Sequence, residues 1–422
     1  MGHAKLHRVG DVLSQLLSAQ APLNQESAPL LEARGRFLAS DVQVMRDAPA
    51  FDQSAMDGYA LHSDEVQGAS DSSPASLLVD GETAATPGYP APLARGNARR
   101  IFTGAQIPQG ATTVVMQENV VREGDRVLIS RPSASGANIR RQGENQREGE
   151  PCLRAGSQLD PITLGWLASQ DIINVNVHRR PKVALIGTGS ELRAPGTQMT
   201  PGSVVDSNRI VLHSYLDALG VECILAIRSA DNRESLTAAL QAAREADLII
   251  TTGGASVGDH DLVQDALLDA GGSVEFWQMA LKPGKPVIVG RLGPATFLGL
   301  PGNPVSAAVT FRVFAQPLIL RMAGDAAPHP TTLPIIAANG MRHRPGRVEL
   351  ARARLAPQDS GWMATLAARQ SSAAHDAMIQ FPSFVMIPST HGDVKPGDRL
   401  QAIPSWGWRG QAISPFSERA PL

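Results

Sequence analysis

The chain has 422 residues, which at about 150 residues per domain points to roughly three domains. Apolar residues make up 43% and charged residues 18%, with a net charge of −2, which excludes wholesale disorder and a domain-wide basic field for nucleic acid. The two cysteines, Cys152 and Cys223, exclude a disulfide framework and a four-thiolate zinc site, and favour a reducing compartment.

Residues 9–20 place Val9, Val12, Leu13, Leu16 and Leu17 on one face of an amphipathic helix. The first twenty residues lack a continuous apolar core, so no secretory signal is expected. From 46 to 148, turn signals such as Gly58, Gly81, Pro87-Gly88, Gly104 and Gly124 separate short apolar runs, the pattern of a β-rich domain. Residues 151–180 read as helical again, with Leu164, Leu167 and Ala168 in register, and the span 149–180 is assigned to the linker. Together with residues 1–45 they are expected to form a helical linker domain. Between 181 and 325 apolar runs alternate with helical patterns. Val183–Ile186 leads to a helix capped near Asp206 or Ser207, then come Ile224–Ile227, a helix around 233–245, and Leu248–Ile250. Such alternation implies an α/β domain with a parallel-type sheet covered on both faces. Residues 326–405 read as a small all-β domain, with strands at 348–355, 363–368, 384–388 and 399–403, and 406–422 as a tail. The uncharged stretch 292–311 is broken by Gly299, Pro301, Gly302, Asn303 and Pro304. It therefore reads as strand, turn and helix start rather than as a membrane span, and a soluble, cytoplasmic protein is expected.

Three strand ends in the α/β domain could carry chemistry, since ligands bind beyond the carboxyl ends of parallel strands. The first is Gly187-Thr188-Gly189-Ser190-Glu191; a tight turn is an equally good reading, because the third glycine of a dinucleotide fingerprint is missing. The second runs from Thr251 through Thr252, Gly253, Gly254 and Ser256 to Asp261. Small residues and hydroxyls there suit a phosphate cradle, although no Gly-Lys-Ser/Thr follows. Asp259 fits a helix cap, and Asp261 is placed to meet a metal or substrate. The third pairs Lys282-Pro283-Gly284-Lys285-Pro286 with Gly299-Leu300-Pro301-Gly302-Asn303-Pro304-Val305-Ser306. Only five lysines stand against thirty-three arginines in the chain, and two of them sit three apart in this turn. Two compact ammonium groups in a Pro/Gly turn suit a small oxyanion. Asn303 suits a helix N-cap, Pro304 the first helical position, and Ser306 a hydroxyl among free amides; an ordinary helix start explains the same residues.

The strings FDQSAMDGYA, IFTGAQIP, ANIRRQGEN, TGSEL, DSNR, TTGGASVGDHD, KPGKP and GLPGNPVSA follow one another from about residue 51 to 309. In this order the chain resembles the molybdopterin molybdenumtransferase family, of the MoeA and gephyrin E-domain type. The resemblance implies a central molybdopterin-binding α/β domain, a β-rich domain, a helical linker part and a C-terminal β-barrel, in a homodimer. It implies that the protein inserts molybdate into adenylylated molybdopterin, releasing AMP with the help of Mg²⁺. By motif, Lys282, Lys285, Ser306 and Arg347 would hold molybdate, with Arg347 arriving from the C-terminal domain. Asp261, Asp231, Glu191 and Asp57 match the catalytic carboxylates, and Asp261 and Glu191 the metal ligands. Thr103, Glu144, Thr252, Gly253, Gly254, Ser256, Pro301 and Pro304 match substrate-binding positions. Contacts with a molybdopterin adenylyltransferase and with molybdoenzyme chaperones are implied too; nucleic acid and membrane are not. Asn145, Ser190 and Gln278 stand where the family more often has Asp, Asp and Lys, and Ser371-Ser372 where it has Gly-Ser. Two other readings use the same residues: a dimeric non-catalytic scaffold, and an adenylyltransferase or nucleotide pyrophosphatase built on the α/β domain.

Overall fold

A computed structural model of the chain describes residues 6–254, 262–359 and 361–407. The chain divides into two compact units, one of residues 1–40, 155–161 and 174–422 and one of residues 41–154 and 162–173.

The larger unit is built on a six-stranded sheet in the order Glu222–Ser229, Lys182–Thr188, Leu248–Thr252, Ala295–Leu300, Ile288–Leu292, Ser273–Trp277. The expected parallel ladder holds across the first four strands. The Ile288–Leu292 strand departs from it: Leu292 pairs with Ala295, so residues 293–294 form a two-residue hairpin, which forces an antiparallel neighbour. Side chains alternate along each strand into two cores. Val183, Leu185, Leu248 and Ile250 meet Leu212 and Leu216 of helix Ser207–Ala218, Val309 and Phe314 of the helical run beginning at Pro304, and Val12 and Leu16 of helix Val9–Ala19. Ala184, Ile186, Ile249 and Phe297 meet Leu236 and Leu240 of helix Arg233–Ala242, and Val263 and Leu267 of helix Leu262–Asp269. The Pro304–Met322 run has the length and hydropathy of a membrane span, but 83% of it is buried within the protein, as a core helix is. Its middle, Phe311–Ala315, is π-helical.

After this sheet the chain closes a five-stranded barrel. Val348–Gln358 pairs antiparallel with Gly361–Leu366 and with Ser383–Ile387; Arg399–Ile403 joins Ser383–Ile387 to Leu333–Ala337, which runs parallel to Gly361–Leu366. Closure removes both sheet edges. The interior mixes alanines (Ala337, Ala351, Ala353, Ala364 and Ala402) with Ile335, Leu366, Ile387 and Leu400, the combination of small and large side chains that a narrow barrel takes. Leu281–Lys282 pairs parallel with Val348 and Glu349 and so attaches the barrel to the α/β sheet.

The smaller unit holds a second six-stranded sheet, whose core includes Tyr59, Leu61, Leu77, Val115, Val127 and Ile129. The helix expected across 151–180 is confined to Pro161–Ser169 and presents only Leu167 to the interior; Ala168 is exposed. The strands Pro151–Leu153 and Asn174–His178 flank it. Asn174-Val175-Asn176-Val177, where the chain re-enters the larger unit, alternates with period two, burying Val175 and Val177, and it pairs with Gln25–Pro29 of that same unit.

Phe297 is fully buried at the centre of the second face of the α/β sheet. Truncating it leaves a cavity between two helices that cannot collapse onto a continuous strand. Phe297→Ala should cost about 3–5 kcal/mol in the denaturation transition of this unit; a loss below about 1 kcal/mol would refute this packing.

Candidate functional site

The chain leaves Lys182–Thr188 toward one edge of the sheet through helix Ser207–Ala218, then returns across the other face to place Leu248–Thr252 on its far side. The carboxyl ends of these two strands therefore flank a topological switch point, the position at which open α/β sheets leave a crevice. A cavity of about 610 Å³ lies there. Among the described residues five short turns line it: Thr188–Gly189 with Glu191, Asp206–Asn208, Asp231, Thr252–Gly254, and Gly302–Pro304.

Hydroxyl and amide groups stitch these turns together. The Asn208 side-chain amide donates to Thr252 Oγ1 at 3.1 Å and to the Gly302 carbonyl at 2.6 Å, while Thr252 Oγ1 donates to the Pro301 carbonyl at 3.2 Å. On the other side Thr188 Oγ1 donates to Asp231 Oδ1, and the Asp231 amide donates to Ser190 Oγ, both at 3.3 Å. Asp206 is 1% exposed; it caps its helix by accepting from the Arg209 amide at 3.1 Å and from Arg209 Nε at 3.0 Å. Gly253 has φ +96°, and a Cβ there would lie 2.1 Å from the Thr188 carbonyl oxygen. Its amide donates to the Leu300 carbonyl at 3.2 Å. Only glycine lets the Thr252 turn lie this close to the neighbouring strand end.

The structure brings Glu191, Asp231, Thr252, Gly253, Gly254 and Pro304 to one cavity, with the Pro301 carbonyl behind it. Ser256, Asp259 and Asp261 lie outside the described residues. Ser306 is 4% exposed in the first turn of its helix, with its carbonyl accepting from Thr310 Oγ1 at 2.7 Å. Asn303 holds the N-cap position but makes no capping bond with its side chain. Its amide donates to Ser372 Oγ, and the Val305 amide donates to the Ser372 carbonyl, both at 3.2 Å, so a barrel loop covers this helix start. Arg352, 1% exposed, holds that loop by donating to the Arg369 and Ala374 carbonyls at 2.6 and 2.7 Å.

A second cavity of about 470 Å³ lies where the Lys282 turn meets the barrel. Lys282, Arg342, Arg344 and Arg347 line it, together with His343, Glu349 and Asp393. Lys282 and Arg347 thus share a wall, whereas Lys285 is not among the lining residues and folds its carbonyl onto the Met279 and Val287 amides. Arg342 and Arg344 are site residues that sequence reasoning missed. Their signal is an Arg-x-Arg-x-x-Arg spacing around Pro345-Gly346, legible only once the Lys282 turn is known to lie beside it.

In the smaller unit the Asp57 carboxylate accepts from both the amide and the hydroxyl of Thr103, each at 2.8 Å. These bonds, the amide first, hold its carboxyl below the usual carboxylate range, so it stays ionised at neutral pH. Glu144 accepts from the Arg141 amide within its own turn at 2.8 Å. Gln278, in the larger unit, is 6% exposed with φ +64°.

Gly253→Ala forces Cβ against the Thr188 carbonyl at a positive φ. It should lower the stability of this unit by about 1–3 kcal/mol and abolish ligand binding in the first cavity. An unchanged thermal midpoint would contradict the close approach of the two turns.

Comparisons with known proteins agree on one family. Residues 7–170 match the family model described as the MoeA N-terminal region (domain I and II), and residues 184–321 match the probable molybdopterin binding domain. The chain is 35% identical over 387 residues to a molybdopterin molybdenumtransferase of Haemophilus influenzae, covering 91% of this chain and 94% of that one. It is 38% identical over 318 residues to molybdopterin molybdenumtransferase 2 of Mycobacterium tuberculosis, covering 74% and 78%. A solved molybdopterin biosynthesis MoeA protein from Pyrococcus horikoshii superposes with a TM-score of 0.81 at 28% identity, covering 94% of this chain and 99% of that one. On these likenesses the chain belongs to the molybdopterin molybdenumtransferase family, and its place is in molybdenum cofactor biosynthesis.

Proposed function

We propose that the protein, acting as a homodimer in the cytoplasm, inserts molybdate into adenylylated molybdopterin and releases AMP. The observation that carries this reading is the presence of two cavities of different chemistry in one compact unit. One is lined by small residues, hydroxyls and carboxylates, and suits a phosphate-bearing nucleotide. The other sets four cationic side chains against two carboxylates, and suits a doubly charged oxyanion. A non-catalytic scaffold does not require either.

In the first cavity the donors are carboxylate, hydroxyl, amide and carbonyl groups, with no imidazole or thiol among the described residues that line it. That set fits a hard cation such as Mg²⁺. No group of three or more metal-binding side chains occurs among the described residues, so Glu191 and Asp231 would hold Mg²⁺ together with phosphate oxygens and water. When bound, Mg²⁺ supplies neutralisation of the charge that develops on the departing phosphate. The chain's own part is positional. Asn208 and Thr252 hold the strand-end turns together around the phosphates, Gly253 lets its turn approach closely, and Thr188 orients the Asp231 carboxylate. In the second cavity Lys282 and Arg347 hold molybdate, and Arg342 and Arg344 add to the positive field. Fixing the oxyanion in place makes its meeting with the dithiolene effectively unimolecular.

The test is AMP release from adenylylated molybdopterin with Mg²⁺ and micromolar molybdate, comparing the native protein with Lys282→Ala. Removing one charge-assisted bond to the oxyanion should cost on the order of a hundredfold in apparent molybdate affinity or rate. Asp231→Asn should slow release at every molybdate concentration, since it acts on the phosphate side. Release that ignores molybdate, or that survives Lys282→Ala unchanged, would point to a pyrophosphatase instead. No release by the folded native protein would leave the scaffold reading.

A further inference from the structure

We propose that Glu349 is a positioning residue for the oxyanion site, acting through Lys282; this rests on the reading of the second cavity as the molybdate site. Lys282 Nζ lies 2.9 Å from Glu349 Oε1. The two side chains differ sharply in exposure: 46% for Lys282 and 3% for Glu349. The partnership is built into the backbone, because Lys282 and Glu349 are direct partners in the parallel pairing that joins the turn to the barrel.

The rest of the surroundings leave Glu349 dependent on that lysine. Glu349 Oε2 is buried and has no hydrogen-bond partner among the described residues. His343 Nε2 lies 3.9 Å from it, beyond hydrogen-bonding distance. His343 instead turns its ring nitrogens to the carbonyls of His391, at 3.0 Å, and Arg347, at 3.2 Å. A buried carboxylate with one charged partner holds that partner firmly, since losing it would strand the charge.

For Lys282 the consequence is order. A half-exposed lysine otherwise samples many rotamers, and catching an anion would cost it that freedom. Glu349 takes one of the three ammonium donors and fixes the group at the cavity wall, which leaves two donors for the anion. Arg342, Arg344 and Arg347 line the same cavity, so the anion meets a lysine already in place among them.

The proposal has a distinctive sign. If Glu349 were only a charge, removing it from an anion site would tighten anion binding. If it positions Lys282, removing it weakens binding. The experiment is calorimetric titration of the full-length protein with sodium molybdate, using the native chain, Glu349→Gln, Lys282→Ala and the double variant. Glu349→Gln should weaken molybdate about tenfold in the native background and should not weaken it further in the Lys282→Ala background. Unchanged or tighter binding by Glu349→Gln overturns the proposal, as does an equal loss in both backgrounds, which would mean a general structural effect. A native protein that does not bind molybdate overturns the site reading itself, and the proposal with it. Should Glu349→Gln fail to fold, the native protein still decides the matter through ¹⁵N-lysine side-chain resonances, of which the chain has only five. One slowly exchanging Nζ signal, lost in Lys282→Ala and shifted by molybdate, is expected; its absence overturns the proposal.

Discussion

Everything in the larger unit depends on the burial of both faces of the Lys182–Thr188 and Leu248–Thr252 strands. Each contributes alternate side chains to two separate cores, and each core is closed by helices from a different crossover. Because one crossover runs to the left of the first strand and the next returns to its right, the two strand ends are left uncovered side by side. The cavity is thus a by-product of how two cores are filled, and it needs no special residue to exist.

Shaping that cavity does need special residues, and they are mostly uncharged. Asn208 bridges two turns, Thr252 reaches a third, and Gly253 lets its turn lie against the Thr188 carbonyl. Ser190 illustrates the local logic. Its hydroxyl accepts from the Asp231 amide, so the position supports an adjacent acid in addition to whatever it offers to solvent. Neutral bonds of this kind hold the turns together without adding negative charge at a place suited to phosphate.

The barrel forms much of the wall of the basic cavity rather than standing apart from it. It places Glu349 on Lys282, contributes Arg342, Arg344 and Arg347 to the basic cavity, and sends the Ser372 loop onto the start of the Pro304 helix. Two of these contacts are anchored in something buried: Glu349 at 3% exposure, and Arg352 at 1% behind the loop. The turn takes residues 348 and 349 of the Val348–Gln358 strand, within the stretch that Gly361–Leu366 leaves unpaired, while Ser383–Ile387 holds the strand from its other side.

By itself the sequence determined the elements whose periodicity is undiluted: the N-terminal helix, the alternation of strand and helix from 183 onward, and four of the five barrel strands. It also determined the small-residue turn at Thr252–Gly254 and the paired Lys282 and Lys285, because glycine, proline and a rare lysine stand out against an arginine-rich background. The strand Asn174–His178 was legible in its alternating valines but hidden by the helical residues just before it. Tertiary structure alone decided which of these charges meet. Lys282 and Arg347 are sixty-five positions apart and share a wall only because Leu281–Lys282 pairs with the barrel strand that begins at Val348. Lys285 is not on that wall, and Ser306 is buried within its helix. Glu349 looked like an ordinary strand residue, since a carboxylate acquires its role from the ammonium opposite it, and strand register across domains is not written in local sequence.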